Sequence, residues 1–562
     1  MTRMLSWGRS WPVVLLAACG GADPASPSLA VCHGSTQPVV LAVGQDAAVD
    51  PEVTAGCVIF PANTSSTDSA QYLLVPQAAT TSPNSHSSFK LAGGAPITGA
   101  PPIAAALQAT PPSPAQQFHD QLRLMEQERS FPMPSGAAQF AAPSGPAAAG
   151  SDTLNNVRTF KVLANLTNTQ ITQNVTATVK SVGTHFVIYV DNAAPAGGFS
   201  TVQLDSLRNV FDTLLYAVDT TAFGRESDID GNGKVIVLLS GVLNSLVTAS
   251  QCLSSGYVAG FFFGADIDPA FHTAWNNGEI FYSIVPDPSG SLSCAHSTSS
   301  VKSLLPVTFI HEFQHMISYN QHVLIGKGSS EELWLNEGLS HYAEERGGWA
   351  FLAAGDSTHF CDHVRGVLYD FGLYVANPGA TGLVMLTGLG TLDERGAWWS
   401  FVRFIVDQYA ADTSLAAADA FTRRLDQTAL RGTSNIVNVT GQSFDLLSRR
   451  WVLANYVSDL PGFAAPATMK YKRWAFRSAY PQLKASCATI PAAFQGTYPL
   501  VAPGVPGPAL NVVGTMYAGS AGTYQRVLQG PSGASFTLLF SDGTGAQLDQ
   551  SVVPMLQVIR IR

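Results

Sequence analysis

The apolar positions near the start of the chain recur in short runs. Between residues 30 and 94, runs such as Cys57-Val-Ile-Phe60 and Tyr72-Leu-Leu-Val-Pro76 alternate with clusters of Ser, Thr, Asn and Gly. Short apolar runs bounded by turn residues are typical of β-strands. The pattern predicts a tether and a small N-terminal β-sandwich-like domain over residues 20–94.

A different pattern begins at about residue 155. Strand-like runs at 185–191, 234–239 and 280–285 come first, and apolar residues then recur at helical spacing. The predicted helices of this part lie at about 303–323, 331–346, 396–410, 414–430 and 441–457. A mixed α/β half followed by a helical half predicts one large domain over residues 155–487.

The segments on either side of this domain differ from it in composition. Residues 95–154 are rich in Pro and Ala, and they predict a linker with one helix at 118–130; part of it could equally be a propeptide. Residues 488–562 return to strand-like runs with Gly-Pro, Ser-Gly and Asp-Gly turns, which predicts a C-terminal β domain. The expected fold class is therefore α+β and multidomain, with β domains flanking the central one.

The composition is that of a globular protein. Of the 562 residues, 46% are hydrophobic and only 12% are charged, and this length predicts more than one core. The net charge of −9 argues against the basic surface that nucleic acid requires, so we expect no nucleic-acid partner. No segment predicts a transmembrane helix in the mature chain.

Residues 1–19 predict an export signal. Arg3 and Arg9 precede the short apolar stretch 13–16, and Leu16-Ala-Ala-Cys19 follows. This ending resembles a bacterial lipobox, in which Cys19 is acylated, whereas an ordinary signal peptide is the alternative. We expect an extracytoplasmic lipoprotein anchored to a membrane or cell surface through Cys19, or else a secreted protein.

Besides Cys19, six cysteines remain. An even number in an exported chain predicts disulfides. Proximity in sequence favours Cys32–Cys57 and Cys252–Cys294, which leaves Cys361–Cys487, but this is only one of the pairings that six cysteines allow.

The motif that carries chemistry is His311-Glu-Phe-Gln-His315, inside an apolar helical pattern. Residues four apart share a helix face, so His311 and His315 can reach one metal ion while Glu312 takes a proton from bound water. Two His and a Glu in an apolar run would be poor core residues without a metal. The pattern predicts a metal site on this helix.

The third ligand distinguishes two classes of zinc peptidase. A metzincin requires a Gly and a His at positions that hold Ser318 and Gln321 here, so this pattern is not met. A gluzincin takes a Glu from a second helix, and Glu337 lies 22 residues after His315 in the next predicted helix. Glu337 is the predicted third ligand, with a surface Glu as the alternative.

The two helices resemble known peptidase families. Trp334-Leu-Asn-Glu-Gly-Leu339 resembles the third-ligand helix of the aminopeptidase N family, and Asn336-Glu337 resembles that of thermolysin. The segments 308–317 and 332–345 together are most similar to the hyicolysin-type neutral metallopeptidases, over about residues 160–460. The resemblance implies a thermolysin-like zincin catalytic domain in which His311, His315 and Glu337 bind zinc and Glu312 is the base.

Two roles in the family pattern remain open. Thermolysin has an Asp four residues after its ligand Glu, where this chain has His341, so Glu344, Glu345 or a backbone carbonyl would have to orient the ligand. The group that stabilises the oxyanion is also unassigned. Its candidates, each of which also fits a structural role, are Tyr342, Tyr369, Tyr374 and His359.

A second metal candidate is the segment Asp228-Ile-Asp-Gly-Asn-Gly-Lys234. Asp228, Asp230 and Asn232 offer oxygens at alternate positions, which resembles a calcium loop. Leu239 stands where an EF-hand needs a Glu, and a plain Asp/Asn/Gly turn is the alternative reading. Calcium would stabilise an exported protein and take no part in the chemistry.

The predicted function is zinc-dependent hydrolysis of peptide bonds in a protein or peptide substrate. The chain lacks the Gly-x-Met-Glu-Asn segment of aminopeptidases, which favours an endopeptidase, and 280–285 is a candidate edge strand for an extended substrate. The alternatives are an aminopeptidase and a non-catalytic binding lipoprotein. In the latter, His341 or His322 would close a structural zinc site, but such a site has no need of Glu312.

Overall fold

The computed structural model describes residues 37–94, 111–133, 152–487 and 496–562, and within these ranges it is a mixed α and β structure with three sheets. Its strands are β1 (Asp46–Val49), β2 (Cys57–Phe60), β3 (Ala70–Ala78), β4 (His86–Gly93), β5 (Val157–Leu163), β6 (Thr172–Val182), β7 (Phe186–Asp191), β8 (Val235–Leu239), β9 (Gly260–Phe262), β10 (Ile280–Ser283), β11 (Gly504–Pro506), β12 (Asn511–Tyr517), β13 (Gln525–Gln529), β14 (Phe536–Ser541) and β15 (Pro554–Arg560). Its α-helices are α1 (Pro51–Thr54), α2 (Pro114–Glu128), α3 (Thr201–Val210), α4 (Tyr216–Ala222), α5 (Gly241–Asn244), α6 (Ala249–Ser255), α7 (Thr298–Tyr319), α8 (Leu333–Ala353), α9 (Ser357–Ala376), α10 (Leu392–Tyr409), α11 (Leu415–Asp426), α12 (Gly432–Thr440), α13 (Phe444–Val457) and α14 (Phe476–Ser486).

Strands from both ends of the chain share two sheets. One sheet has the order β1-β15-β3-β13-β11 and the other β12-β4-β14-β2, so β3 and β4 each pair with C-terminal strands on both sides. Phe60, Leu74 and Leu91 are buried in the cluster that the two sheets enclose. The two separate β domains expected at 20–94 and 488–562 are therefore one β unit. Alternating apolar residues predict that a strand forms, but they do not identify its partner.

The third sheet forms the base of the central region. Its order is β5-β6-β7-β8-β10-β9, in which β7, β8 and β10 are parallel and β9 runs antiparallel at the edge. The expectation that 280–285 forms the edge strand is wrong, because β10 lies between β8 and β9. The terminal strand on this side of the sheet is β9, and β5 is the terminal strand on the other side.

Helix α7 packs against this sheet, and α8 packs against α7. The Ser297 side chain accepts a hydrogen bond from the N–H of Ser300 and so caps the N-terminus of α7. Phe309 of α7 packs against Phe186 of β7 and Phe281 of β10, with ring centroids 5.0 and 5.6 Å apart. Every residue of α7 from 309 to 319 is buried, so its polar side chains there face protein on all sides.

The predicted helices are present, with shifted ends. The helix expected at 118–130 is α2, and the helices expected at 303–323 and 331–346 correspond to α7 and α8. Helix α9 was not predicted. Its glycines, Gly366 and Gly372, and its aromatic residues lower helix propensity, and its burial against neighbouring helices outweighs that preference.

Two predicted disulfides form, Cys252–Cys294 and Cys361–Cys487. Cys57 is also disulfide-bonded, but its predicted partner Cys32 lies outside the described residues, as do the signal segment 1–19 and Cys19. Within the described ranges, no helix has both the length and the apolar character needed to cross a bilayer.

Candidate metal centre

Helices α7 and α8 bring three side chains to one point. His311 and His315 lie one turn apart on α7, and their Nε2 atoms are 3.1 Å from each other. Glu337 of α8 lies between them, with Oε2 3.5 Å from His311 Nε2 and Oε1 3.5 Å from His315 Nε2. The three predicted ligands therefore converge, each with a ligand atom facing the others.

The separations fit a single zinc ion. Tetrahedral zinc with bonds of about 2.1 Å keeps its ligand atoms roughly 3.4 Å apart. Glu337 Oε1 is buried and has no hydrogen-bond partner, which is costly unless a cation or a proton lies beside it. Burial alone would raise the pKa of Glu337, but Arg395 and His315 hold it well below its usual range, so the group is anionic. Two imidazoles and one carboxylate form a donor set that zinc prefers.

Each imidazole ring has a polar partner at its Nδ1 atom, on the side away from the point of convergence. His311 Nδ1 lies 2.8 Å from Glu344 Oε1, and His315 Nδ1 lies 2.8 Å from Asn336 Oδ1 and 2.9 Å from Ser340 Oγ. These contacts occupy the Nδ1 atoms and leave each Nε2 facing the point of convergence. Of the carboxylates considered for this role, Glu344 makes the contact.

Glu345 and His322 lie elsewhere. Glu345 accepts hydrogen bonds from the indoles of Trp349, Trp399 and Trp474 and is part of the helical core. His322 lies 3.9 Å from Glu331 and 3.8 Å from Asp426, on another side of the helix pair. His341 lies 2.9 Å from Glu344, on the Nδ1 side of His311. None of these three described residues completes a four-ligand structural site in this arrangement.

Glu312 lies beside the triad and against the edge strand. Its side chain is 1% exposed, and Oε2 accepts the N–H of Phe262 in β9 at 2.9 Å. Burial raises the pKa of Glu312 to about 7, while His311 and Arg123 oppose this shift. A carboxyl group with a pKa near 7 can both accept and return a proton at neutral pH.

Three of the four candidate oxyanion donors make contacts elsewhere, and the fourth is exposed. The Tyr374 hydroxyl lies 2.9 Å from Ser520 Oγ, and His359 forms an ion pair with Asp356. The Tyr342 ring packs under the Arg403 guanidinium. The side chain of Tyr369 is 37% exposed. None of these described side chains forms a hydrogen bond or ion pair with His311, Glu312, His315 or Glu337.

Two residues close to the candidate metal centre were not predicted from the sequence. Arg395 of α10 places Nε 3.7 Å from Glu337 Oε2, and His119 of α2 places Nδ1 3.5 Å from Glu312 Oε1. Both are far from the motif along the chain, and no local pattern marks either of them. Only the tertiary fold brings them to the site.

The predicted calcium loop is partly rearranged. Oxygens of Asp228 and Asp230 lie within 4.8 Å of each other and of Glu279, which the sequence did not indicate. Asn232 points its Nδ2 group at Asp230 Oδ2 (3.0 Å), while its Oδ1 accepts the Lys234 N–H. Asn232 therefore holds Asp230 through a hydrogen bond, and its own side-chain oxygen binds the Lys234 N–H and is not a ligand for the metal ion.

Comparison with known proteins shows a partial similarity to a metalloprotease. No protein-family model matches the chain. The chain is 27% identical over 193 residues to the neutral metalloprotease ShpI of Staphylococcus hyicus. The match covers 34% of this chain and 40% of that protein, so it spans less than half of the relative's length. Over this part of its sequence, the chain is similar to a metalloprotease.

Proposed function

We propose that this protein is a zinc-dependent endopeptidase with a thermolysin-like catalytic domain over residues 155–487. The observation that carries the proposal is the convergence of His311 Nε2, His315 Nε2 and the Glu337 carboxylate, with Glu312 buried beside them. The partial similarity to a neutral metalloprotease supports the same reading.

The chain's own residues divide the chemistry among them. His311, His315 and Glu337 hold the zinc ion, which when bound supplies Lewis-acid activation of water and of the peptide carbonyl. Glu312, with its pKa raised to about 7, accepts a proton from the attacking water and returns it to the leaving amine. Glu344 and Asn336 keep the two imidazoles oriented.

The edge strand β9 supports an endopeptidase. Phe262, whose N–H reaches Glu312, lies in this terminal strand of the sheet. An extended peptide adds to such an edge through main-chain hydrogen bonds, which do not depend on a free amino terminus. An aminopeptidase and a zinc-containing surface binding protein are the competing functions.

The test compares wild type with Glu312→Gln at equal zinc content, using casein and an internally quenched peptide blocked at both ends. We expect slow cleavage of both substrates by wild type, faster cleavage when α2 is displaced, and loss of activity when Glu312→Gln is added to either form. Because α2 lies over the site, the assay includes the α2 variants described below. Equal activity in wild type and Glu312→Gln would refute the mechanism, and cleavage of free-amine peptides alone would favour an aminopeptidase. Zinc binding without cleavage in every form would favour the binding protein.

We also propose that Cys19 carries a lipid anchor and that the chain works outside the cytoplasm. The disulfides Cys252–Cys294 and Cys361–Cys487 support an oxidising compartment. In a bacterial host, Cys19→Ser should move the protein from the membrane fraction to the soluble fraction. Unchanged membrane association would refute the anchor.

A further inference from the structure

The first inference concerns the loop that precedes β8. Asp228 and Asp230 lie in this loop, and Glu279 directly precedes β10, which pairs in parallel with β8. The sheet therefore fixes the distance between loop and Glu279, and oxygens of the three carboxylates lie within 4.8 Å of one another. This position is separate from His311 and its neighbours.

Glu279 has an oxygen without a partner. The residue is 1% exposed, and its Oε1 accepts hydrogen bonds from Ser227 Oγ and the Ile229 N–H, while Oε2 is buried and makes no hydrogen bond. Asp230 is 2% exposed. Arg158 forms a long ion pair with Asp230 through Nη1, at 3.9 Å, while its Nη2 donates to the Asn276 carbonyl.

Crowded and buried carboxylates of this kind are costly without a cation. Calcium prefers hard oxygen ligands from carboxylates in flexible geometry, as this cluster provides.

We propose that Asp228, Asp230 and Glu279 bind a calcium ion that fixes the loop to strands β8 and β10. Asn232, which the sequence indicated as a ligand, instead holds the Asp230 carboxylate through its Nδ2 group. Glu279 is the ligand that links the loop to the sheet.

The test is calcium titration of the full, zinc-loaded chain, by calorimetry and by thermal unfolding. We expect a Kd at or below about 1 mM and a rise in Tm with calcium. Glu279→Gln and Asp228→Asn should both weaken binding by roughly tenfold or more, and Asp228→Asn is at an exposed position where the fold tolerates change. The exposed Glu52→Gln is the matched control and should bind calcium as wild type does. Calcium binding that is unchanged in Asp228→Asn, or absent from wild type, would overturn the assignment.

The second inference concerns helix α2, which lies over the metal centre. Its His119 approaches Glu312, and its Asp120 forms an ion pair with Arg395. Arg395 in turn lies 3.7 Å from Glu337. One turn of α2 is thus in contact with the predicted base and, through Arg395, with a predicted ligand.

The same helix occupies the outer edge of β9. Arg123 Nη2 donates to the Phe262 carbonyl at 3.0 Å, and Glu126 Oε1 accepts the Gly264 N–H at 3.2 Å. The ring of Phe118 packs against Phe261 with centroids 5.4 Å apart. Arg123 of α2 therefore takes a main-chain carbonyl of β9 that an extended substrate would use, and Glu126 binds the main chain just beyond the strand.

The result is a closed site. His311 is 9% exposed, while Glu312, His315 and Glu337 are each 1% exposed. A polypeptide substrate has to reach these atoms for hydrolysis to occur, so α2 and a substrate exclude each other.

We infer that α2 is an intramolecular inhibitor, an inference that rests on the proposed peptidase function. Its contacts suit release. Arg123 and Glu126 form an ion pair within α2 itself. Arg123 Nε and Nη1 and Glu126 Oε2 are buried with no hydrogen-bond partner, a cost that release of the helix into water would remove. The segments at 95–110 and 134–151, on either side of the helix, are rich in Pro, Ala and Gly and predict linkers.

The test displaces the helix in the full chain. Leu122 is fully buried on α2, so Leu122→Arg should expel the helix, and Asp120→Ala should loosen it without placing a charge in the core. Gln117→Arg, at an exposed position of the same helix, is the charge-matched control. We expect roughly tenfold or greater gains in kcat/KM on the blocked peptide for the first two variants and none for the control. A synthetic peptide of residues 111–133 added to Leu122→Arg should restore inhibition.

A second readout does not depend on catalysis. Removal of zinc by a chelator should be faster in Leu122→Arg and Asp120→Ala than in wild type or Gln117→Arg. Equal kcat/KM and equal zinc release in all four proteins would overturn the inhibitory role while leaving the peptidase proposal intact. Faster zinc release without peptide cleavage in any form would support α2 as a cover over the metal site and would refute the proposed peptidase function.

Discussion

The contact between Glu344 and His311 gives the sharpest prediction for the metal centre. Glu344 Oε1 is 2.8 Å from His311 Nδ1 and is mostly buried. Burial would raise the pKa of Glu344, but His341 and His311 lower it to about 2, so the carboxylate is charged at neutral pH. Its removal therefore takes away a full negative charge and an orienting contact.

The magnitude follows from what each variant removes. Loss of a group that orients a metal ligand reduces metal affinity by about tenfold to a hundredfold, or about 1.4 to 2.7 kcal/mol. Glu344→Gln keeps an acceptor oxygen and the shape of the side chain, so we expect a loss near the lower value. Glu344→Ala also frees the His311 ring, so we expect a loss near the upper value.

The assay is competition for zinc with a chromophoric chelator at pH 7.5, combined with Tm as a check on folding. His341→Ala is the matched control, because His341 contacts the same carboxylate but lies on the Nδ1 side of His311. Its zinc affinity should stay close to that of wild type. Wild-type affinity in a folded Glu344→Ala would refute the reasoning, as would a loss in His341→Ala equal to that in Glu344→Ala.

Three further expectations concern stability. The Cys361–Cys487 bridge joins residues 126 positions apart, so Cys361→Ser should lower the free energy of unfolding by up to about 5 kcal/mol in chemical denaturation, and a loss below about 1 kcal/mol would contradict this. Burial raises the pKa of Asp426 to about 7. Between pH 4 and 7 the folded chain then keeps a proton that the unfolded chain has lost, so stability falls as pH rises, by up to about 4 kcal/mol in total. Asp426→Asn should remove that part of the pH dependence of the free energy of unfolding, measured by chemical denaturation between pH 4 and 7. The same slope of unfolding free energy against pH in wild type and Asp426→Asn would refute this expectation. A Cβ on Gly396 would lie 2.1 Å from the Asp370 carbonyl oxygen, so Gly396→Ala should lower Tm by several degrees, and an unchanged Tm would show that α9 and α10 can separate.

The part of the candidate metal centre that lies close together along the chain could be predicted from the sequence. His311, Glu312 and His315 lie within about one helical turn, so helical periodicity predicted that they share a face, and the gluzincin pattern predicted Glu337 in the next helix. Glu344 was one of several options, because a spacing along α8 does not fix which side chain turns toward His311. Three-dimensional packing made that choice.

Long-range relationships were not predictable in the same way. His119 lies in the helix predicted at 118–130 within the linker region, and nothing near it in the sequence indicates that it meets Glu312. The position of β10 inside the sheet, and the pairing of β3 with β13 and β15, depend on strand order, which apolar alternation does not encode. The boundaries at 155 and 487 stay predictions.

The shared sheets have a consequence for how the chain folds during synthesis. Residue Ala78 pairs with Pro554, so β3 cannot complete its sheet until about 480 further residues have been made. At a ribosomal rate of about 5 to 20 residues per second, this takes roughly 25 to 100 s. During that time the first strands expose unpaired edges, which are prone to aggregation. Without the seven-residue strand Pro554–Arg560, β1 loses its partner and β3 keeps only β13 beside it in this sheet, so a chain that stops before Pro554 should expose both strand edges.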